Sequence, residues 1–383
     1  MTLSLLATAI LLSGFLIGLI PTLVDNLKKS WQMRLNVPAE RSEWGVWLFY
    51  FTWLPAMPLT GVFIDHGHPV EVLFFGLLGL ILGLAWLAMV RSFSVLLGVM
   101  ALLGCAYSLM TVSAIQLMTS SFFEDGGKHH LAAMNLGFIL VGLGALVGPG
   151  VLALMERWWG YRQGLLYLSL SCIVPAALAA VRGGELLPTS PSAVGSWEDM
   201  LTNPHLAMLA GVVLLYFAIE NCFEFWPEPY LQELGYENRS LRGGMLLFWF
   251  AFIASRAVAA WWLYGHPGQG IAITLILVVV SAMIMGNLAG GYEVGSGSIG
   301  LWLAGAFYGP LLPCLLGIVF DLFPNLPAGV LGILLALSGL DTLIVRPLMR
   351  LYSIGRPART IMRVPIVLAL LMAAPLFVLL FRQ

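Results

Sequence analysis

Apolar runs of about 20 residues recur along almost the whole chain, and they decide what solvent it folds in. An α-helix rises about 1.5 Å per residue, so about 20 apolar residues cross the hydrocarbon of a bilayer. Breaking the chain at its charged, Pro and Gly clusters predicts about twelve spans: 3–24, 44–64, 70–90, 94–118, 131–155, 162–181, 205–226, 243–263, 269–290, 299–322, 327–347 and 362–381. Backbone facing lipid must satisfy its own hydrogen bonds, which makes these spans helices rather than open sheet. The composition agrees: 60% of residues are hydrophobic and only 10% charged, where a soluble domain carries about 25% charged residues. The fold expected is an all-α membrane protein. Residues from Met1 onward lack a positive n-region and a small-residue cleavage box, so they read as the first span and not as a cleavable signal.

The segment "RGGELLPTSPSAVGSWEDMLTNP", 182–204, is the longest polar interruption, rich in Gly, Ser and Pro. It divides the spans six and six, which predicts a bundle over 1–181, a linker over 182–204 and a bundle over 205–383. The halves echo each other locally. Gly67-His68-Pro69 follows the second span and Gly265-His266-Pro267 follows the eighth, an offset that lays the first span on the seventh. A parallel duplication is the arrangement this favours.

Net charge is −1 and Lys28, Lys29 and Lys128 are the only lysines, so no basic nucleic-acid surface is expected. Cys105, Cys172, Cys222 and Cys314 lie in apolar runs without CxxC or Cys/His spacing, as packed thiols do. No metal site or cofactor follows from them. No Walker loop, GxGxxG or nucleophile elbow occurs, and no enzyme is expected.

Polar residues inside spans are costly, and they mark candidate function. The stretch "YFAIENCFEFWPEPYLQELGY", 216–236, places Glu220, Glu224 and Glu228 four residues apart, on one helix face. Glu220 falls roughly three-quarters of the way along its span, where a carboxylate costs at least ~2.5 kcal/mol unless it faces an interior or a cavity. Like charges at this spacing raise one another's proton affinity, which suits a coupling group. Trp226 and Tyr230 are placed to stack on a sugar ring or a cation. Pro227 and Pro229 should unwind the helix end. Asn135 reads as a ligand contact or a helix-to-helix hydrogen bond. Gln116, Asn287, Tyr308, Trp53 and Asp341 are lesser candidates. From its depth, Arg256 is expected to answer Asp321 or a loop carboxylate rather than Glu220.

These motifs also carry a family resemblance. "GVFIDHGHP" resembles the loop signature between spans two and three of the major facilitator superfamily, with Gly61, Asp65 and Gly67 in place and His66 and His68 where Arg or Lys is usual. "NLGFILVGLGALVGP", 135–149, resembles the fifth span of the fucose permease and glucose–proton symporter branch through Asn135, Gly142, Gly144, Gly148 and Pro149. The seventh span resembles that branch at Tyr216, Glu220, Trp226, Tyr230 and Leu231, with Ala218 where Gly is common. Arg256 fits its eighth span and "GAFYGPLLP", 305–313, its tenth. Two features depart from it: the first span has no mid-membrane acid, only Asp25 at its end, and the fourth offers only Gln116.

The resemblance implies two six-helix bundles in the major facilitator fold, rocking about a central site in alternating access. It implies secondary transport of a small polar solute, with sugar and proton symport as the first reading. The substrate or proton set it implies is Glu220, Glu224, Trp226, Tyr230, Asn135, Gln116 and Arg256, and its conformational loop is Gly61, Asp65 and Gly67. Expected partners are a small-molecule substrate, protons and the lipid bilayer, in a monomer of a bacterial inner membrane. Export of drugs or lipophilic compounds is the alternative, with a non-transporting sensor or assembly protein behind it. One feature opposes the family orientation, which puts both termini and the even-numbered loops in the cytoplasm. Most Lys and Arg lie in odd loops, at Lys28, Lys29, Arg34, Arg41, Arg157, Arg162, Arg239, Arg242, Arg350, Arg356, Arg359 and Arg363.

Overall fold

The computed structural model describes residues 4–123, 128–182, 197–233, 235, 238–290 and 294–381. Most of the 182–204 connection, and with it the expected linker, lies outside the described residues. Among those described, the ordered elements are helices. Eleven are long and apolar enough to cross a bilayer, and Val364–Leu380, with 17 residues, is a shorter apolar helix. The architecture expected from the apolar runs is therefore present.

Local chemistry sets the helix ends. Helix α1, Leu5–Asn26, starts where the Ser4 hydroxyl accepts a hydrogen bond from the Ala7 N–H at 3.1 Å. A short helix that periodicity did not anticipate follows at once: α2, Lys28–Leu35, ends on Asn36 in the left-handed region, φ 51°. Then come α3, Ala39–Asp65, α4, Pro69–Met89, α5, Phe93–Ser121, and α6, His130–Trp158. The sixth span is broken at Cys172 into α7, Gly160–Ser171, and α8, Ile173–Arg182. After α9, Trp197–Thr202, the Asn203 side chain caps α10, Pro204–Phe225.

The Pro227 and Pro229 pair does interrupt the seventh span, but it restarts a helix instead of leaving coil. The chain breaks at Trp226, and α11, Pro227–Glu233, begins with Pro at its first position, where a missing N–H costs nothing. The remaining helices are α12, Asn238–Gly265, α13, Gly270–Gly290, α14, Val294–Tyr308, α15, Leu311–Leu322, and α16, Pro327–Leu340. A π-turn, Asp341–Val345, joins α16 to α17, Arg346–Ser353, and α18, Ala358–Ile361, precedes α19, Val364–Leu380.

The Gly-His-Pro echo recurs as geometry. His68 (φ −119°, ψ 45°) and His266 (φ −138°, ψ 60°) both occupy the cap before a helix that begins on proline. Gly67 sits at φ 98°, which a residue with a Cβ rarely adopts.

The chain forms two compact units. One holds residues 1–127, 140–196 and 323–339, and the other 128–139, 197–322 and 340–383. Packing inside each cuts across the division by sequence at two places: the start of α6 belongs with the later helices and most of α16 with the earlier ones. In the first unit α1 and α6 meet through glycine. A Cβ built on Gly144 would lie 2.0 Å from the Phe15 carbonyl oxygen, and one on Gly18 1.9 Å from that of Val141. Small residues at these positions permit the backbone approach. In the second unit Tyr216, Phe223, Phe248 and Tyr308 form a fully buried aromatic core.

A candidate substrate and proton site

The carboxylate of Glu220 is only part-buried, about 24 Å along α10 from Pro204 by helical rise. One turn earlier, the Tyr216 hydroxyl donates to it at 3.3 Å. Tyr216 is itself held face to face on Tyr308, with ring centroids 4.7 Å apart and planes 1° from parallel. The Tyr308 hydroxyl donates to the Tyr216 carbonyl oxygen. Tyr308 thus fixes the donor that fixes the acid.

Arg256 of α12, 3% exposed, lies within electrostatic reach of both Tyr216 and Glu220. As depth predicted, it makes no ion pair with Glu220; the expected pairing with Asp321 is likewise not found among the described residues, and the side chain answers backbone carbonyls instead. Its Nε donates to the Gly309 carbonyl at 3.0 Å, Nη1 donates to the Phe138 carbonyl, and the guanidinium rests 4.5 Å from the centroid of the Phe252 ring. Two backbone acceptors and a ring orient the cation.

A second polar group lies beside the first, and sequence reasoning missed most of it. Asn221, 3% exposed, donates from Nδ2 to Asp341 Oδ2 at 2.5 Å and accepts at Oδ1 from Arg346 Nε at 3.0 Å. One amide therefore bridges a carboxylate and a guanidinium five residues apart in sequence. On an α-helix five residues end about 140° round the axis. The π-turn, closed by the Arg346 N–H on the Asp341 carbonyl, brings them to roughly one full turn and the same side. Pro347 is the legible signal: it cannot donate to the carbonyl four residues back, and its ring crowds that carbonyl, so a wider turn there relieves both. Tyr308 lies within electrostatic reach of Glu220 and Asp341 alike, which makes the two groups one polar neighbourhood in an apolar bundle.

The other predicted residues are placed differently. Trp226 is 5% exposed and Tyr230 fully buried, so both rings are packed. Glu228 is exposed, and the Glu224 side chain lies outside the described residues. Asn135 is fully buried and donates to the Leu131 carbonyl at 2.9 Å and toward Cys314 Sγ at 3.4 Å, the helix-to-helix alternative of its two readings. Gln116 is in the first unit, half-buried, with Oε1 buried and without a hydrogen bond among the described residues. Asp25 accepts from the Tyr50 hydroxyl at 3.2 Å.

Gly61 and Asp65 do come together, on the start of α16. The Asp65 carboxylate accepts from the Ala328 N–H at 3.1 Å and the Gly329 N–H at 2.8 Å, and the missing Gly61 side chain admits the Ala328 carbonyl. Two orphan helix N–H groups and the positive end of the dipole are satisfied by one acid. Replacing Asp65 with Ala is expected to cost about 1–2 kcal/mol, the usual loss of an N-cap, read as a lower unfolding midpoint in detergent.

Comparison with known proteins supports this reading of the fold. The structure is similar to a variant of the E. coli fucose:proton symporter FucP, with a TM-score of 0.73 at 16% identity, covering 98% of each chain. It is similar to the human organic anion transporter TETRAN, with a TM-score of 0.70 at 18% identity over 97% of this chain and 98% of that one. A bacterial homologue of the iron transporter ferroportin gives 0.75 at 13% identity, again over 97% and 98%. Identities this low speak for the fold alone, and the expected likeness to the fucose permease branch holds at that level. No curated protein sequence matches the chain. The Major Facilitator Superfamily model matches residues 2–340, and with twelve apolar helices in hand the chain belongs to that superfamily of membrane transporters.

Proposed function

We propose that the protein is a secondary active transporter that moves a small polar solute by alternating access, coupled to protons at Glu220. The bundles of the transport cycle are the two sequence halves, 1–181 and 205–383, joined through 182–204. The observation that carries the reading is a half-buried carboxylate in an apolar helix, held by a tyrosine hydroxyl and within reach of a buried guanidinium. An acid kept at that depth against a cost of at least ~2.5 kcal/mol is retained for what it does and not for packing. Tyr216 donates to the ionised form, and Arg256 favours it. A proton arriving at Glu220 therefore weakens both contacts, which links protonation to the packing of α10 on α12. Asn221, Asp341 and Arg346 supply donors and acceptors for a hydroxylated solute beside it. FucP, a fucose:proton symporter, supports sugars as the first solutes to offer. A bacterial inner membrane is the expected location.

The test uses purified protein in vesicles loaded with a pH dye, offered sugars, organic anions and lipophilic cations in turn. One solute is expected to drive proton flux, abolished in Glu220→Gln and retained in Glu228→Gln. Equal flux in Glu220→Gln and wild type removes the site assignment. Transport of lipophilic cations alone favours the exporter, and no flux with any solute favours a sensor.

A further inference from the structure

The short helix α2 serves neither span nor site, yet it is firmly placed within the first unit. Trp31, 1% exposed, donates from its indole N–H to the Tyr161 hydroxyl at 3.0 Å. The Ser30 hydroxyl donates to Glu156 Oε1 at 2.6 Å, and the Arg34 guanidinium lies 4.2 Å from the centroid of the Tyr161 ring. On its other side Gln32 donates to the Ser42 hydroxyl at 2.8 Å. These contacts pin α2 to the corner between α6 and α7 and to the start of α3.

That corner gathers cations from three separate stretches of chain: Lys28, Lys29 and Arg34 on α2, Arg41 on α3, and Arg157 and Arg162 flanking the corner itself. All but the half-buried Lys28 are exposed, and none of the six makes an ion pair with a described residue. Four carboxylates are nearby in sequence, but two are engaged, Glu156 by Ser30 and Asp25 by Tyr50; Glu40 and Glu43 remain exposed. A hydroxyl donor does not cancel a carboxylate's charge, so the six cations exceed the four acids by two, an excess that an anion would answer.

The setting indicates which anion. Trp158 and Trp159 directly follow Arg157, and Trp44 stands three residues past Arg41; all three rings are 44–64% exposed, and Met33 of α2 is 79% exposed. Exposed tryptophans at span ends sit at the headgroup level of a bilayer. The cations therefore stand at the depth of lipid phosphate, beside rings that enter the acyl boundary. We propose that α2 and the α6–α7 corner bind the phosphate headgroups of anionic phospholipids. Each Lys or Arg near such a surface multiplies affinity several-fold, and the pinned helix holds the set in place before the lipid arrives.

The test measures which lipids stay with the full chain. Protein is purified from vesicles of mixed phosphatidylglycerol and phosphatidylcholine, and retained lipid is counted by native mass spectrometry. Phosphatidylglycerol is expected to be retained at least about tenfold over phosphatidylcholine, as two or more cations at an anionic surface supply. The preference should fall to near unity in the combined variant Lys28→Gln, Lys29→Gln, Arg157→Gln, and stay intact in Lys128→Gln, an exposed cation just before the start of α6, the end opposite Arg157. Lys29 and Arg157 are exposed and Lys28 is half-buried, and none of the three is in an ion pair with a described residue, so the unfolding midpoint in phosphatidylcholine should match wild type. If it does not, Arg157→Gln alone must still lower the preference severalfold. Equal retention of both lipids, or a preference unchanged by these substitutions, overturns the proposal. So does competition by millimolar inorganic phosphate that matches phosphatidylglycerol, which would mark a free-anion site. None of these readouts involves solute flux, so the result stands apart from the transport assay.

Discussion

Arg256→Leu is expected to lower stability by about 2–5 kcal/mol, the cost of leaving two buried carbonyls without a charge-assisted donor. The guanidinium is 3% exposed and donates to the Gly309 and Phe138 carbonyls, with Tyr216 and Glu220 in reach. Leucine returns no donor, so two carbonyls lose a charge-assisted partner, and packing of the smaller side chain on the Phe252 ring does not replace those bonds. Arg256→Lys separates the causes: it keeps the charge but gives up the planar fork that reaches two carbonyls together, so partial recovery is expected. Urea or thermal unfolding in mild detergent reads both. If Arg256→Leu unfolds within about 0.5 kcal/mol of wild type, the size of an ordinary surface substitution, the guanidinium is not the keystone of this group.

Gly144→Leu should be as damaging for a different reason, with a loss of about 3 kcal/mol or more from overpacking at a helix crossing. The nearest atoms to a Cβ there belong to backbone, the Phe15 carbonyl at 2.0 Å and the Leu19 nitrogen at 3.0 Å. A side-chain rotation cannot relieve a clash with main chain, so α1 and α6 must part, and the reciprocal contact at Gly18 is lost with them. Gly150→Ala is the internal comparison. It lies on the same helix with nothing within 4 Å of its Cβ position, and gains up to about 1 kcal/mol of helix propensity. Similar unfolding midpoints for the two variants would refute the close approach.

These two residues also mark how far the sequence could be read. Gly144 was legible as part of a family resemblance in the fifth span, and the structure spends it on helix approach. Arg256 was expected to answer Asp321 or a loop carboxylate and instead donates to the Gly309 and Phe138 carbonyls, because position along a helix locates a Cα and not the end of a seven-atom side chain. Asn221 was passed over beside its louder neighbour Glu220, and Asp341 with Arg346 looked unrelated at a spacing that α-helical geometry would separate. Only the π-turn makes them one group. Trp226 and Tyr230, read as stacking surfaces, are buried in packing, since an aromatic ring beside a helix break serves a core as readily as a ligand.

The solvent, the helical state of the spans and their approximate number were settled by the sequence alone. Long apolar runs admit no other backbone state in hydrocarbon, and that constraint acts within each segment without reference to its neighbours. Which polar side chains meet was decided by tertiary structure, because meeting depends on how helices rotate and where their regular turns give way. A carboxylate, an amide and a guanidinium drawn from α10 and the π-interrupted span became a network through one widened turn that no local pattern of hydrophobicity records.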